Sequence, residues 1–476
     1  MTRLVLATLL CFAALTARAE DVVWFAEDSP VSYSVQKSHD AVVDVALQMF
    51  CSDMEAVTGA KAVAAPDGII NVVQLDRAKA SEMKSLKKQG FDIGRLQRES
   101  DAFQIKVFPP LGGQRGAVIT IVGGNGRGAA YGLLELSRMA GVSPWIWWGD
   151  CVPERKSKLT IDSNFETFQS ASVELRGIFL NDEDWSLRPW GSTRVGKNYQ
   201  IKTETYCRVF ELLLRLRANA IWPAMHEGTE AFFKNPKNKA IADSCGIFVG
   251  TSHCEPLLRN NVDEWNADER GRFNYITNKE NVQRYWTERL EEVKNSKTNI
   301  FTIGMRGIHD GSMEGVKTML EKFDALQQVI DDQQELLRRH IGEPSKLPQV
   351  FVPYKEVLEL YEKGLNVPDY VTLMWCDDNY GYITRLSTPE EQRRSGGGGV
   401  YYHLSYWGRP HDYLWLTTTQ PGLIYHEMKT AYDHNVRKLW IANVHDPKVA
   451  GYQLELFLDM AWNIDCVSGD TLEQHY

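Results

Sequence analysis

Charged side chains follow three short apolar runs in the middle of the chain. The runs cover residues 299–307, 349–356 and 370–378 and are rich in β-branched and aromatic residues, as is typical of buried strands. The charged residues at or just past their ends are, in order, Arg306 and Asp310, Glu356, and Asp377 and Asp378. Helical segments separate the runs, so the strands should pair in parallel and end at one edge of a sheet. Carboxylates gathered there can act as a general acid and a general base, and an arginine can hold an anionic group of a substrate.

The elements that must position these residues repeat as a strand followed by a helix from residue 172 onward. Strands are predicted at residues 173–180, 219–225, 246–253, 299–307, 349–356, 370–378, 399–407 and 438–445. About eight such units over this length predict an α/β fold with a (β/α)8 TIM barrel at residues 169–463. An open doubly wound sheet is the alternative, and the absence of a cofactor fingerprint favours the closed barrel.

A small α/β N-terminal domain is predicted at residues 20–168. Its strands are expected at 69–75, 102–108 and 117–122 and its helices at 40–58 and 128–139. The glycine-rich residues 123–128 between a strand and a helix either cradle a phosphate or let the helix pack closely on the strand, and we favour close packing. The tryptophans of residues 144–150 either contact a neighbouring domain or form one wall of a sugar subsite, and we favour the contact.

The first 19 residues have the pattern of a secretory signal peptide. A positive residue precedes a short apolar run, and Ala17-Arg-Ala19 fits a cleavage site, so the protein is expected to be secreted or periplasmic. No later apolar run is long enough to span a membrane. The formal net charge is −9 with no basic run, which disfavours nucleic-acid binding. Once Cys11 is removed, seven widely spaced cysteines remain, and we expect free thiols rather than disulfides or a zinc site.

A barrel enzyme carries its active site at the C-terminal ends of its strands. The polar residues expected there are Asn181, Asp182 and Asp184; His226 and Glu227; His253 and Glu255; Arg306, His309 and Asp310; Lys355 and Glu356; Asp377 and Asp378; His403 and Tyr406; and His445 and Asp446. Metal-assisted hydrolysis would need several of the histidines at ligand spacing, and no such pattern links them. Glycoside hydrolysis needs two carboxyl groups, hydroxyl-binding donors and, for an acidic sugar, an arginine. The set favours a glycosidase, with a metal-dependent hydrolase and a non-catalytic carbohydrate-binding protein as alternatives.

Six longer motifs resemble glycoside hydrolase family 115. They are residues 175–185 (LRGIFLNDEDW), 219–226 (NAIWPAMH), 304–311 (GMRGIHDG), 352–356 (VPYKE), 373–381 (LMWCDDNYG) and 401–408 (YYHLSYWG). The resemblance implies a xylan α-1,2-glucuronidase that removes glucuronic acid or its 4-O-methyl ether from glucuronoxylan or its oligosaccharides. It implies inversion at the anomeric carbon, with no metal and no organic cofactor.

The same resemblance assigns roles to individual residues. Glu356 is the expected general acid and Asp310 the expected base, with Asp182 and Asp377 as alternative groups to activate the water. Arg306 is expected to pair with the uronate carboxylate. The remaining expected substrate-binding residues are Asn181, His253, His403, Tyr406 and Lys355. The acid would need its pKa raised by neighbouring carboxylates or by burial.

Members of this family continue past the barrel into a helical bundle and a β-sandwich, through which they dimerise. This sequence ends at Tyr476, and residues 464–476 are expected to begin the C-terminal helical region. A homodimer is therefore expected of full-length members more than of this chain.

Overall fold

A mixed six-stranded sheet occupies the N-terminal part of the chain in the computed structural model. The structure describes residues 21–27, 29–108, 118–182, 187–194, 201–309, 311–406, 417–445 and 447–475. The N-terminal elements are β1 (Val22–Ala26), β2 (Ser32–Val35), α1 (Ala41–Thr58), β3 (Val63–Ala64), β4 (Ile70–Gln74), α2 (Ala80–Lys88), α3 (Ile93–Arg98), β5 (Phe103–Phe108), β6 (Val118–Gly123), α4 (Gly126–Met139), β7 (Lys158–Ile161) and β8 (Glu166–Gln169). The sheet has the order β3-β2-β4-β6-β5-β8, and β1 pairs separately with β7. The three predicted strands and two predicted helices of this region are confirmed.

Helix α1 shows why these segments fold as they do. Val42, Ala46, Met49 and Phe50 recur at helical spacing and are all buried, so one face of the helix packs into the core. The helix ends at Gly59, whose φ of 91° is left-handed and whose N–H donates to the carbonyl of Glu55. Helices α1 and α4 pack against each other.

Eight parallel strands form the second sheet. The elements from residue 175 onward are β9 (Leu175–Leu180), α5 (Leu187–Arg194), α6 (Thr203–Arg215), β10 (Ala220–Trp222), α7 (Pro236–Ser244), β11 (Phe248–Val249), α8 (Asn261–Glu264), α9 (Ala267–Arg270), α10 (Lys279–Val293), β12 (Phe301–Ile303), α11 (Met319–His340), β13 (Gln349–Phe351), α12 (Glu356–Glu362), β14 (Thr372–Cys376), β15 (Gly398–His403), α13 (Pro421–Asp433), β16 (Leu439–His445), α14 (Gly451–Trp462) and α15 (Leu472–His475). Their order is β11-β10-β9-β16-β15-β14-β13-β12, and every pairing is parallel.

The two outer strands of this sheet meet. A parallel bridge joins Val249 in β11 to Asn299, just before β12. The N–H of Val249 donates to the carbonyl of Thr298 at 2.9 Å, and the N–H of Ile300 donates to the carbonyl of Val249 at 2.9 Å. The sheet therefore curls round on itself, as in a TIM-like barrel. The predicted α/β class and the eight parallel strands are confirmed.

Alternate residues of the curled sheet separate into two apolar clusters. Leu439 and Ile441 of β16 belong to a cluster with Phe179 and Tyr401, whereas Trp440, between the first two, belongs to the main core under the helices. This period of two is that of a strand with one face inside the curl and one face outside. Several strands are shorter than predicted, since β11 has two residues and β12 three. The residues that follow these short strands therefore lie in loops at the edge of the sheet.

Two packing predictions for the N-terminal region are confirmed: the tryptophans of residues 144–150 contact the helices around the eight-stranded sheet, and the glycine-rich turn allows close packing within the N-terminal region itself. Trp145 donates from Nε1 to a carboxylate oxygen of Glu455 in α14 at 2.7 Å, and Trp148 donates to the carbonyl of Arg208 in α6 at 3.1 Å. In the glycine-rich turn, a Cβ on Gly128 would lie 2.3 Å from the carbonyl oxygen of Ala102. Only glycine permits that approach, so the turn serves close packing.

A buried carboxylate joins the two sheets. Asp101 is fully buried and accepts hydrogen bonds from Asn125 and Arg127 at the start of α4, from Arg176 in β9 and from Asn219 next to β10. Burial alone would raise the pKa of Asp101, but the charges of Arg127 and Arg176 lower it well below the ordinary value. The folded state therefore favours the ionised carboxylate.

The described cysteines are all free thiols, in agreement with the prediction. Within the described ranges, no helix combines the length and apolar character needed to cross a bilayer.

We expect Asp101→Asn to destabilise the protein by about 3–5 kcal/mol, because it leaves two arginines with no carboxylate at a buried site. The free energy of unfolding near pH 7, from urea titration, measures the effect. The stabilisation should be complete above pH 3.8 and should be lost as the pH falls toward the lower pKa of the folded state. Asp150→Asn is the matched control, because Asp150 makes an exposed ion pair with Arg194; its effect should stay within about 1 kcal/mol. Equal effects of the two substitutions would contradict the role given to Asp101.

Candidate active site

A cavity of about 310 Å³ opens at the C-terminal ends of the parallel strands. Its lining residues come from separate strands and the loops that follow them: Phe179, Asn181, Met225, His226, Ser252, His253, Cys254, His309, Tyr354, Tyr401, His403, Tyr406 and Asn443. Four of them, namely Asn181, His253, His403 and Tyr406, are residues that the sequence predicts for substrate binding. The lining combines aromatic faces with hydrogen-bonding groups, which suits a sugar ring.

One wall of the cavity is a chain of hydrogen bonds. Asn181, directly after β9, donates from Nδ2 to Oδ1 of Asn443 at 3.2 Å, and Asn443 donates from Nδ2 to the hydroxyl of Tyr401 at 2.8 Å. Burial first, and then neighbouring Tyr354, raises the pKa of Tyr401 well above 10.0, so its hydroxyl keeps its proton. Among the described residues, Oδ1 of Asn181 has no hydrogen-bond partner. This series of hydrogen bonds thus has an unsatisfied acceptor, Oδ1 of Asn181, at one end and a hydroxyl donor, that of Tyr401, at the other.

Sequence reasoning missed Asn443 and Tyr401. Both lie inside their strands, whereas the candidates were taken from residues at or beyond the strand ends. The signal that could have found them is the period of two, because Ile441 and Asn443 share the inner face of β16. Tyr354 was likewise present in the VPYKE motif without being given a role.

Asp377 holds His403 in place. Oδ1 of Asp377 lies 2.6 Å from Nδ1 of His403, and Oδ2 accepts the N–H of Gly381 at 2.9 Å. Both carboxylate oxygens are thus engaged, and the side chain is buried and outside the cavity lining. This geometry orients the imidazole so that its other nitrogen is available to the cavity.

Asp182 is also buried behind the lining. Its Oδ1 accepts the backbone N–H of His226 at 3.2 Å and lies 3.3 Å from Nδ1 of the same histidine. No described residue hydrogen-bonds to its Oδ2. His226 lines the cavity and Asp182 does not, so the carboxylate acts on the cavity through this histidine.

Arg306 and Glu356 form a bidentate ion pair beside the cavity. Nε and Nη2 of Arg306 donate to the two oxygens of Glu356 at 2.9 and 3.0 Å. Nη1 of Arg306 is 3.8 Å from the sulfur of Cys254, and its guanidinium lies 6.0 Å from the centre of the Tyr354 ring. Cys254 and Tyr354 both line the cavity, so the pair sits directly behind that wall. Glu356 is therefore paired with a cation. The sequence-based assignment of Glu356 as the general acid had called for neighbouring carboxylates or for burial.

The backbone is strained around this opening. Of the nine described non-glycine residues with positive φ, five lie in loops after strands of the curled sheet: Leu257, Leu258, His309, Lys355 and Asn379. Such conformations persist where the surrounding structure imposes them, and they cluster at functional sites. At Lys355 the strained turn leaves the side chain exposed, with Nζ 5.0 Å from the centre of the Tyr354 ring. Lys355 lies outside the cavity lining.

Asp310, the expected base, lies outside the described residues, as do Asp184, Trp407 and Asp446. Its neighbour His309 lines the cavity with its ring 5.4 Å from that of His226. Tyr354, two residues before Glu356, also lines the cavity. Within the described part of the chain, no group of three or more His, Cys, Asp or Glu residues is arranged to hold a metal ion.

A further carboxyl group lies under the cavity. Glu255 directly follows the cavity residues His253 and Cys254 and is fully buried, and one of its oxygens accepts the backbone N–H of Asn261. Burial raises the pKa of Glu255 well above the ordinary 4.5, against the lowering effect of the Asn261 hydrogen bond and with a further rise from Glu264.

Comparison with known proteins places these residues in a family. The family model for Glycosyl hydrolase family 115 matches residues 169–476. Among solved structures, a GH115 4-O-methyl-alpha-glucuronidase with specificity for decorated arabinogalactans is 45% identical with a TM-score of 0.88. The match covers 96% of this chain and 59% of that one, so this chain spans about 59% of the length of that enzyme. A search of curated proteins found no match.

More distant structures share the fold alone. A GH138 enzyme targeting pectin rhamnogalacturonan II is 13% identical with a TM-score of 0.53 over 93% of this chain and 52% of its own. A GH20 beta-N-acetylhexosaminidase from Streptomyces coelicolor A3(2) is 10% identical with a TM-score of 0.56 over 96% of this chain and 93% of its own.

We expect Glu255→Gln to change how stability depends on pH. The raised pKa means that the folded state favours the protonated acid, so the contribution of Glu255 is complete below about pH 4.5 and is lost as the pH rises through the folded pKa. Glutamine keeps an acceptor for the N–H of Asn261 but does not titrate. The variant should therefore become more stable relative to the wild type as the pH is raised from 4.5 to 9, measured by urea unfolding at each pH. A difference in unfolding free energy that stays constant over this range would show that Glu255 is ionised in the folded protein.

Proposed function

The chain belongs to glycosyl hydrolase family 115, and on that premise we propose that it removes α-1,2-linked glucuronic acid, or its 4-O-methyl ether, from xylan with inversion of configuration. The observation that carries the proposal is the convergence of Asn181, His253, His403 and Tyr406 on one cavity, with the Arg306–Glu356 pair behind its wall. Hydroxyl-binding groups beside a cation suit a sugar that bears a carboxylate.

In this mechanism Glu356 donates a proton to the leaving glycosidic oxygen, and Asp310 activates the water that attacks the opposite face of the sugar. The water gives its hydroxyl oxygen to the anomeric carbon and its proton to the base, so the product is the free uronic acid with inverted configuration. Asp377 is a weaker candidate for the base, because both of its oxygens already accept hydrogen bonds. Its role in the proposal is to orient His403.

Asp182 acts through His226, with which it is in contact. Asn181 and Tyr401 supply an acceptor and a donor for hydroxyls of the sugar ring. Arg306 binds the uronate carboxylate, and Lys355 adds positive charge at the rim. No step needs a metal ion.

The wider organisation forms part of the same proposal. We take the curled sheet as a (β/α)8 catalytic barrel over residues 169–463, preceded by an N-terminal α/β domain over residues 20–168 and followed by the start of a helical region at 464–476. Residues 1–19 serve as a secretion signal, which suits an enzyme that meets polysaccharide outside the cytoplasm.

A second substrate class is favoured by one comparison. The structure that is 45% identical is described as specific for decorated arabinogalactans. Glucuronic acid on an arabinogalactan presents the same acidic sugar on a different backbone. The two polymers differ in the polysaccharide backbone, which would lie outside the cavity, so experiment is the best way to distinguish them as substrates.

The direct test is incubation with glucuronoxylan and, separately, with glucuronidated arabinogalactan, followed by proton NMR from the first minutes. Release of glucuronic acid as the β-anomer before mutarotation is the expected result, because water attacks the face opposite the α-linkage. Release of the α-anomer would contradict inversion. Binding of the polymer without release would instead support the non-catalytic carbohydrate-binding alternative, and activity that is lost to a chelator and restored by a divalent ion would support a metal-dependent hydrolase.

We expect Glu356→Gln to lower turnover of glucuronoxylan by about 10²- to 10⁴-fold, because the amide has no proton to give to the leaving oxygen. The matched control is Glu359→Gln, an exposed residue of the same helix whose partner is Lys363; it should retain turnover. Initial rates of glucuronic acid release measure both variants.

An α-glucuronosyl fluoride separates the acid from the base. Fluoride leaves with little help from a proton, so a variant that lacks only the acid should lose much less activity on this substrate than on the polymer. Equal losses on both substrates would mean that Glu356 is not the acid.

A further inference from the structure

We propose that Glu255 is a positioning residue for the cavity: its side chain and its backbone close residues 251–261 into a loop that presents Ser252, His253 and Cys254 to the sugar. These three residues line the cavity, whereas Glu255 itself does not. The inference rests on the proposed function and adds a residue, outside the cavity lining, on which substrate binding depends.

The hydrogen bonds of Glu255 close the loop. Its backbone N–H donates to the carbonyl of Ser252 at 3.0 Å, and its own carbonyl accepts from the hydroxyl of Thr251. Its side chain reaches across the loop, where one carboxyl oxygen accepts the backbone N–H of Asn261. The three cavity residues are therefore enclosed between Thr251 and Glu255, which are bonded to each other.

Asn261 bonds back to the same turn. Its side-chain Nδ2 donates to the carbonyl of Cys254 at 2.8 Å, so the side chains of Glu255 and Asn261 each bond the backbone of the other's segment. The residues between these segments include Leu257 and Leu258, which are buried and have φ of 53° and 63°. Such left-handed backbone persists only where the surrounding structure holds it. The reciprocal bonds between Glu255 and Asn261 supply part of that hold.

Both ends of the loop are attached to the rest of the fold. At the first end, the hydroxyl of Thr302 in β12 donates to the carbonyl of Thr251. Toward the other end, Arg259 donates from Nε to the carbonyl of Tyr285 in α10 at 2.7 Å. These attachments do not involve Glu255, and what Glu255 adds is the shape of the loop between them. A substitution at this position is therefore expected to change the loop rather than the fold.

The shape of the loop matters because two of its residues contact other groups of the site. The ring of His253 lies 4.6 Å from that of Tyr354, and the sulfur of Cys254 lies 3.8 Å from Nη1 of Arg306. Arg306 is the proposed partner of the uronate carboxylate. A displacement of about 1 Å in such a group can cost about 10²-fold in rate, so the loop must hold these contacts closely.

The loop depends on the length of the Glu255 side chain rather than on a charge. Burial raises the pKa of Glu255 well above 4.5, against the hydrogen bond from Asn261 and with a further rise from Glu264. Arg259, which borders the same small cavity as Glu255, lies 3.5 Å from Glu264. These surroundings favour the neutral carboxyl group, which accepts one hydrogen bond and can be replaced by an amide of the same length.

Two substitutions separate length from charge. Glu255→Gln keeps the length and an acceptor oxygen, whereas Glu255→Asp keeps the carboxyl group but is shorter and so withdraws its oxygens from the N–H of Asn261. On glucuronoxylan, or on glucuronidated arabinogalactan if the wild type turns over only that polymer, Glu255→Gln should keep the wild-type KM within about threefold. Glu255→Asp should raise KM by about tenfold or more with a smaller change in kcat, because the acid and the base lie on other loops. Glu269→Asp, the same change at an exposed position of α9, is the matched control and should keep the wild-type KM.

The comparison of KM with kcat distinguishes positioning from stability. A variant that is only less folded has a lower kcat per mole of protein and an unchanged KM. Isothermal titration calorimetry with sodium glucuronate makes the same comparison without turnover, and Kd should follow KM. Asn261→Ala is a second variant, which removes the donor to the carbonyl of Cys254 and should raise KM by about threefold or more. Circular dichroism verifies the fold of each variant.

Three results would overturn the inference while leaving the proposed function intact. An unchanged KM in both Glu255→Asp and Asn261→Ala would show that the cavity does not need these bonds. A KM that rises as much in Glu255→Gln as in Glu255→Asp would show that the site needs an ionised carboxylate at this position. A fall in kcat with an unchanged KM would leave Glu255 a role in stability alone. A wild-type enzyme that neither binds glucuronate nor releases it from either polymer would instead overturn the proposed function, and this inference with it.

Discussion

The structure depends first on a single buried carboxylate. Asp101 accepts hydrogen bonds from the start of α4 and from residues in or next to β9 and β10, and so it fixes the N-terminal sheet against the lower edge of the curled sheet. Two arginines at this joint need that anion, because buried cations are stable only when paired. Strand β9 starts at this joint and ends at Leu180, and the next residue, Asn181, lines the cavity. The strand that is anchored at one end therefore positions a cavity residue at the other.

The candidate site repeats the same rule of pairing at smaller scale. Three of its described carboxylates contact a histidine or an arginine: Asp377 contacts His403, Asp182 contacts His226, and Glu356 contacts Arg306. Each of these three carboxylates therefore lies beside a basic side chain. The apolar cluster inside the curl adjoins this arrangement, because some of its members, such as Tyr401, also line the cavity.

Much of the fold follows from the sequence because its signals are local. Runs of β-branched and aromatic residues identify all eight strands. Thr318 and Glu321 form a capping box at the start of Met319–His340, one of the helices expected between the runs. The lengths of the strands were less predictable. In β11 and β12 the backbone leaves the sheet after two and three residues, although the predicted strands continue. The sequence also brings four cavity residues together through one rule, that parallel strands end at the same edge.

The partners of the charged residues could not be predicted in the same way. Arg306 and Glu356 are separated along the chain by a long helix and one strand, and no local pattern indicates that they pair. Asn443 and Tyr401 depend on which face of a strand points inward, which is fixed by the register of the whole sheet. The types of residue at the strand ends therefore predict the kind of chemistry. Which carboxylate oxygens are already hydrogen-bonded depends on contacts between segments that are distant in the sequence.

The left-handed backbone at His309, Lys355 and Asn379 has a consequence for how the loops around the cavity can change. Each of these conformations costs roughly 1–3 kcal/mol, which the rest of the fold must offset. Glycine would relax the strain, but it would also free the loops that hold the neighbouring side chains. Thermal stability and a fixed geometry of the cavity loops are therefore opposing demands on the same three positions. Selection for heat tolerance would have to act elsewhere, for instance where the two sheets meet.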